Sequence, residues 1–254
     1  MIALEGVTCR YGAATVVHDL TLTVATGEVV ALVGGSGSGK TTALKAVNRL
    51  VEPTSGRVLL DGRDVRDGPV HRLRRRIGYV FQRVGLFPHR TVAENVAVPL
   101  VLEGAASEQI ADRVAAVLAA VELDAGLGAR YPHELSGGQQ QRVGVARALV
   151  AGCRWMLLDE PFGALDPLTR DRLQQLFLRL RVSHGLTGIF VTHDLAEALA
   201  VADRIAVLRA GRLVQVGTPA ELVRSPADAD VERLLDTPRR HARAFDALLG
   251  GGVG

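Results

Sequence analysis

Aromatic residues make up only 4% of this 254-residue sequence. A stacking platform for single-stranded nucleic acid is built from such side chains, so a nucleic-acid partner is not expected. Cysteine is scarcer still: Cys9 and Cys153 are too few and too far apart for a metal cluster, and both read as small buried residues. No apolar run approaches the roughly 18 residues of a membrane-crossing helix. The longest, VAAVLAAV at 114–121, falls in an amphipathic helical pattern. The N-terminus, MIALEGVTCRYG, carries Glu5 and Arg10 and lacks the basic-then-apolar order of a secretion signal, so a cytosolic location is expected. Excess charge is missing as well. A net charge of +3 attracts polyanions weakly, and the one basic cluster, HRLRRR at 71–76, reads first as a solvated face.

What is present has the balance of a folded globule, with 48% apolar and 22% charged residues. The length suits one large domain, or a domain with a subdomain, around a substantial core. EVVALVGG (28–35), RIGYVFQ (76–82), WMLLDE (155–160) and GIFVTH (188–193) read as buried strands that end in glycine or polar residues. Helical patterns separate them. One, after the first glycine turn, places Leu44, Val47 and Leu50 on one face. From about 91 to 150 the pattern is helical, with Ile110, Val114, Val117, Leu118 and Val121 in register behind Ser107 as N-cap. A third helix opens at Asp166-Pro167, an N-cap and the preferred first helical residue, and turns Leu173, Leu176, Phe177 and Leu180 inward. GRVLLDGRDV (56–65) and RIAVLRAGRLVQVG (204–217) read as hairpins turning at Asp61-Gly62 and Ala210-Gly211. This alternation predicts an α/β fold with a mainly parallel sheet covered on both faces. Ligands of such folds collect at the carboxyl ends of the strands, where Gly34, Gln82, Asp159, Glu160 and His193 all fall.

GGSGSGKTT (34–42) carries the pattern G-x-x-x-x-G-K-[ST] between a strand and a helix. Glycines let successive N–H groups turn toward an anion, and the helix adds its positive end. Gly34, Ser36, Gly37, Ser38, Gly39, Lys40, Thr41 and Thr42 are the expected phosphate ligands. Lys40 would reach the β and γ phosphates of ATP, and the Thr41 hydroxyl would ligate Mg²⁺. Asp159 would serve the same ion, because a carboxylate at the end of a buried strand is costly without a cation. Glu160 would accept a proton from, or orient, the attacking water. Gln82 is expected at Mg²⁺ or that water, and His193 at the γ phosphate. A plain glycine turn or a surface acid pair would not explain the strand, the lysine and the two acids together.

A second glycine turn, LSGGQQQ (135–141), has no lysine. Ser136 and Gln139 have the spacing of a capping box, which by itself describes an ordinary helix start. Gly137 and Gly138 leave the helix end open to an anion, while Val143, Ala146 and Leu149 bury the opposite face. One chain is not expected to bring this turn and Lys40 to one nucleotide. Two chains about a twofold axis can, so the reading is a homodimer with each ATP between Lys40 of one subunit and Ser136 of the other.

These motifs, over roughly residues 2–225, resemble the ATP-binding subunit of an ATP-binding-cassette (ABC) transporter. GGSGSGKTT is similar to that family's Walker A loop, LSGGQ to its signature, WMLLDE to its Walker B strand with Glu160 as general base, Gln82 to the Q-loop glutamine, His193 to the switch histidine, and ALD (164–166), with Asp166, to the loop that crosses the dimer interface. The resemblance also gives Tyr11 the role of stacking on adenine, Lys40, Gln82, Glu160 and His193 catalytic roles, and ATP with Mg²⁺ as cofactors. It implies a P-loop NTPase (RecA-like) core with an antiparallel β subdomain and an inserted α-helical subdomain at about 83–154, all within a domain spanning 1–225. The tail, 226–254, is expected to form short helices with Leu234, Leu235, Phe245 and Leu248 as a stripe, then a disordered GGGVG.

A subunit without a membrane span resembles the importer components whose permeases are separate chains, working peripherally at the cytoplasmic face of the membrane. RVGLFPHRTVAEN (83–95) resembles the permease contact, with Leu86, Phe87 and Pro88 exposed; a loop tucked into its own core is the plain alternative. IGYVFQRVGLFPHRTVAENVAVPL, ELSGGQQQRVGVARAL and PFGALDPLTR look most like the subfamily that imports glycine betaine, choline and carnitine, which implies a solute-binding protein acting through the permease. Many of its members carry paired CBS regulatory modules, and none is expected before Gly254. Import of another solute, export, and a soluble ABC ATPase of repair or translation are the alternatives. The last usually needs a long insertion, and the stretch between Gln82 and Ser136 has no room for one.

Overall fold

Val29–Val33 are completely or almost completely buried, and alternate residues enter different cores: Val29, Ala31 and Val33 one, Val30 and Leu32 the other. A strand of five apolar residues is stable only with cover on both faces, and in the computed structural model it lies at the centre of a six-stranded sheet. The described residues are 1–82, 84–163 and 165–250, the last ten as backbone only. Arg83, Ala164, the side chains of Phe245 and Leu248, and residues 251–254 lie outside them.

The chain opens with β1 (Ile2–Tyr11) and β2 (Ala14–Val24), then β3 (Val29–Val33) and helix α1 (Lys40–Val47). β4 (Ser55–Leu60), β5 (Arg63–Asp64), α2 (Val70–Arg75) and β6 (Ile77–Val80) follow. A helical stretch holds α3 (Val92–Glu103), α4 (Ser107–Ala120) and α5 (Gly137–Leu149). The core then resumes with β7 (Trp155–Asp159), α6 (Pro167–His184), β8 (Thr187–Thr192), α7 (Leu195–Val201), β9 (Arg204–Arg209) and β10 (Arg212–Gly217). Helices α8 (Pro219–Arg224) and α9 (Ala229–Gly250) end it.

The large sheet has the order β10-β9-β3-β8-β7-β6, parallel except where β10 pairs with β9. A separate antiparallel sheet runs β2-β1-β4-β5 and shares a core with α1 and one face of the large sheet. Residues of α3, α4, α5, α6 and α7 cover the other face. This is the α/β architecture read from the sequence, and both hairpins turn where expected: Asp61 and Gly62 have φ of 47° and 79°, Ala210 and Gly211 of 47° and 78°. Paired left-handed residues match the twist of the flanking strands.

Several local expectations shift. Leu44 and Val47 are buried, but Leu50 is 43% exposed, because α1 ends at Val47 and the chain turns left-handed at Arg49 (φ 55°). Ala106, not Ser107, caps α4, since the Ala106 carbonyl already accepts from Ile110 N. β6 stops at Val80, where its pairing with β7 ends at Leu158, so Gln82 stands two residues beyond the strand. Leu86 is half-buried against the larger core, while Phe87 and Pro88 are exposed. The tail forms one 22-residue helix, continuous through Pro238, rather than short pieces.

Phe162 follows the acid pair and is 1% exposed, meeting Phe177 of α6 and Phe190 of β8 edge-on at centroid distances of 6.4 and 6.2 Å. It fastens the turn after β7 to the core. Phe162→Ala should leave a cavity and lower the unfolding free energy by about 3–5 kcal/mol, read as an earlier urea midpoint with an unchanged m-value.

Candidate functional site

The carboxyl ends of β3, β6, β7 and β8 lie along one edge of the sheet, and each delivers its polar residue there. From β3 the chain enters the glycine loop. A Cβ on Gly34 would stand 2.2 Å from the Leu208 carbonyl oxygen, and Gly39 (φ 92°) would place one 2.6 Å from that of Val16, so neither position admits a side chain. Nothing lies within 4 Å of such a Cβ at Gly37, whose side of the loop is open. The Lys40 side chain is 6% exposed, and its ammonium donates to the carbonyls of Gly34 and Gly35, each at 2.8 Å, and to Ser38 Oγ at 3.2 Å. Burial pulls the Lys40 pKa below its ordinary value, and the Glu160 and Asp159 carboxylates oppose that pull. A buried cation held by neutral carbonyls, at the N-terminus of α1, fits a polyanion. Ser36 and Thr42 belong to the same loop and first helical turn.

Asp159, the last residue of β7, is 5% exposed and accepts from Thr41 Oγ1 at 2.9 Å. The Tyr79 hydroxyl, from β6, stands 3.5 Å from its other oxygen. Hydroxyl and carboxylate oxygens beside a phosphate loop are the donor set of a hard divalent cation. Among the described residues no group of three or more His, Cys, Asp or Glu side chains could hold a metal. A cation here would therefore draw its remaining oxygens from phosphate or water, as Mg²⁺ does.

Glu160 follows in the left-handed region (φ 48°), a conformation that costs about 1–3 kcal/mol. Its N–H still donates to the Val191 carbonyl at 2.9 Å, so the strand pairing continues while the chain turns sharply. The turn brings the carboxylate to Gln82, whose Nε2 donates to Oε2 at 2.8 Å, and to His193, whose Nδ1 lies 3.4 Å from Oε1. Gln82, Glu160 and His193 thus form one cluster, with the His193 side chain 63% exposed.

Residues that the sequence reading did not single out back the His193 turn. Glu197 of α7 is 4% exposed and accepts from Thr192 Oγ1 at 2.6 Å, while Thr192 Oγ1 also accepts from Asp194 N at 3.0 Å. Burial raises the Glu197 carboxyl above its ordinary value. Arg170 of α6 lies 3.5 Å from Glu197 and 3.6 Å from Asp194, and donates to the Leu165 carbonyl at 3.2 Å. A lone acid in the apolar run LAEALA was the available signal.

Ser136 caps α5 with the full reciprocal box: its hydroxyl accepts from Gln139 N at 3.3 Å and its N–H donates to Gln139 Oε1 at 2.9 Å. The two glycines after it differ. A Cβ on Gly137 would meet only Leu165, at 4.0 Å, whereas one on Gly138 would strike Thr169 of α6 at 2.4 Å. Gly137 is open, and Gly138 is small because α6 packs there. Asp166 caps α6, accepting from Thr169 N at 3.0 Å. Among the described residues no hydrogen bond or ion pair joins the 34–42 loop to the 135–139 turn. A groove of about 530 Å³ is lined by Gln82, Glu160, Gly137, Gln141 and Val84 among others. Tyr11, 53% exposed, ends β1 and pairs with Ala14 at the start of β2, the strand whose Val16 covers Gly39.

A family model described as ABC transporter matches residues 17–163. The chain is 47% identical over 241 residues to the choline transport ATP-binding protein OpuBA of Bacillus subtilis, covering 94% of this chain and 63% of that protein. It is 47% identical over 228 residues to the glycine betaine uptake system ATP-binding protein YehX of Escherichia coli, covering 90% of this chain and 74% of that one. The chain thus spans under two thirds of the choline-transport relative's length. Its fold superposes on a dimeric ATP-binding cassette in a post-hydrolysis state bound to ADP and Pi, with a TM-score of 0.78 and 34% identity over 86% of this chain and 99% of that one.

Proposed function

Because the chain belongs to the ABC transporter family, we propose that it is the ATP-hydrolysing subunit of a membrane transporter that imports osmoprotectants of the glycine betaine, choline and carnitine type. One observation carries the hydrolytic reading: four strand ends bring a buried lysine, an Asp-Thr oxygen pair and the Gln82–Glu160–His193 cluster to one edge. The solute class is supported by what the OpuBA and YehX relatives transport.

Lys40 exchanges its loop carbonyls for the β and γ phosphate oxygens of ATP, and Tyr11 packs on the adenine. Thr41, Asp159 and Gln82 would hold Mg²⁺, which when bound offsets the phosphate charge. Gln82 keeps the Glu160 carboxylate aimed. Glu160 takes a proton from the attacking water as the water oxygen bonds to the γ phosphorus and the bond to the bridging oxygen breaks, giving ADP and phosphate. His193 donates to the γ phosphate, the group that ADP lacks. Ser136 and Gly137 of a second copy close the site, so ATP binding joins the copies and hydrolysis releases them. The open Gly137, the absence among the described residues of a hydrogen bond or ion pair between the two loops, and the dimeric cassette support this shared site.

Residues 1–225 form the ATPase domain, with the helical subdomain at about 83–154, and the tail that follows packs Val231 and Leu235 into the larger core. Among the described residues no helix is long and apolar enough to cross a membrane, which accords with a peripheral subunit at the cytoplasmic face. Exposed Phe87 and Pro88 meet the permease. The solute is bound by a separate protein, since a quaternary ammonium group needs an aromatic cage. Deleting the coding sequence should abolish ATP-dependent uptake of radiolabelled glycine betaine, choline or carnitine, and the parent gene but not a Lys40→Ala copy should restore it. Unchanged uptake of all three overturns the solute class.

A further inference from the structure

The loop after Gln82 is gripped by the helical stretch at two places. Arg147 of α5 donates from Nη2 to the Val84 carbonyl at 2.6 Å and from Nη1 to the Gly85 carbonyl at 2.8 Å. Asn95 of α3 is completely buried. Its Oδ1 accepts from Phe87 N at 2.7 Å, and its Nδ2 lies within 3.1 Å of the carbonyls of Phe87, Arg90 and Thr91. The seat beneath Val84 is shaped for it: a Cβ on Gly144 would stand 2.6 Å from Val84 Cγ1. Burial lowers the Arg147 pKa, and no carboxylate contributes to that shift. A guanidinium desolvated to serve two carbonyls of a loop is a specific fastening, since a charged group is buried at a cost unless its donors are used.

Val84 and Gly85 are therefore tied to α5, which Ser136 caps, and Phe87, Arg90 and Thr91 to α3, whereas Gln82 is tied to Glu160 at the end of β7. We infer that Arg147 is a positioning residue for hydrolysis: by clamping Val84 and Gly85 to α5 it makes the placement of Gln82 against Glu160 follow the signature helix. A displacement of α5 is then carried to the catalytic carboxylate through Val84 and Gln82. This deepens the proposed ATPase function and rests on it.

The test uses the full-length protein with Arg147→Ala, Arg147→Lys and Gly144→Ala, alone and combined with Gln82→Ala. Arg147→Ala should lower kcat on the order of 10²-fold, the cost of an ångström-scale misplacement, with nucleotide affinity of the monomer changed less than about twofold. In the Gln82→Ala background the same substitution should cost nothing more, because both act through one contact. A purely structural role predicts independent losses that multiply, and that result, or full activity of Arg147→Ala, overturns the inference. Gly144→Ala, which disturbs the seat without touching the charge, should repeat the pattern if the arginine variants fold poorly. Hydrogen–deuterium exchange reads the clamp without ATP: amides at 84–91 should exchange faster in Arg147→Ala while those at 40–47 do not. Unchanged protection at 84–91 overturns the clamp. If the parent protein hydrolyses no ATP, the ATPase reading fails while this exchange result still decides the clamp.

Discussion

Glu160→Gln is expected to lower kcat about 10²–10⁴-fold, the usual contribution of a general base, while ATP still binds. The substitution keeps the size and the left-handed turn. Its amide oxygen still accepts from Gln82 Nε2, now at 2.8 Å from the carboxylate. What disappears is the group that takes the proton. The phosphate loop on β3 and α1 is untouched, and its lysine loses a neighbouring negative charge that opposed its pKa depression. With binding intact and hydrolysis removed, a shared site has no exit, so ATP should accumulate a dimer visible by size-exclusion chromatography with light scattering. Parent-rate hydrolysis by this variant would remove Glu160 from the base position.

Ser136→Arg should abolish hydrolysis and leave one subunit able to bind nucleotide. The local cost is modest: loss of the cap removes about 0.5–2 kcal/mol, and a cation at a helix N-terminus about 0.3–1 kcal/mol more. The fold survives that. The bulk and charge, however, fill the open corner at Ser136–Gly137 where the second copy's phosphates would sit. Ser136→Ala is the control, because it removes the cap without filling the corner and should retain part of the activity. Fluorescent-nucleotide titration of dilute protein should match the parent, and parent activity should rise with the square of protein concentration at high dilution. A monomer hydrolysing ATP at the dimer's rate would overturn the shared site.

The elements that sequence reasoning placed well share a property. The Asp166 cap, the Ser136–Gln139 box and the two hairpin turns are each settled by contacts within four residues. Such contacts appear as spacing along the chain. The faces of α4 and α6 were legible for the same reason, since Val114, Val117 and Leu118, or Leu173, Leu176 and Leu180, repeat with the helical period. Leu50 and Gln82 went astray because their surroundings are decided by where a neighbouring element stops. Glu197 and Arg170 went unremarked because their partners come from other turns of chain.

By itself, then, the sequence determined that a phosphate loop follows a buried strand, that two acids end another, and that a capped glycine turn opens a helix without a lysine. Each rests on residue chemistry and short-range geometry, which are fixed before the chain is packed. Only the tertiary structure decided that Gln82 and His193 meet Glu160, that Thr41 bonds Asp159 118 residues away, and that Arg147 holds Val84 and Gly85. Those pairings depend on the strand order β10-β9-β3-β8-β7-β6. That order follows from burying two apolar faces at once, a condition on the whole chain that no local stretch expresses.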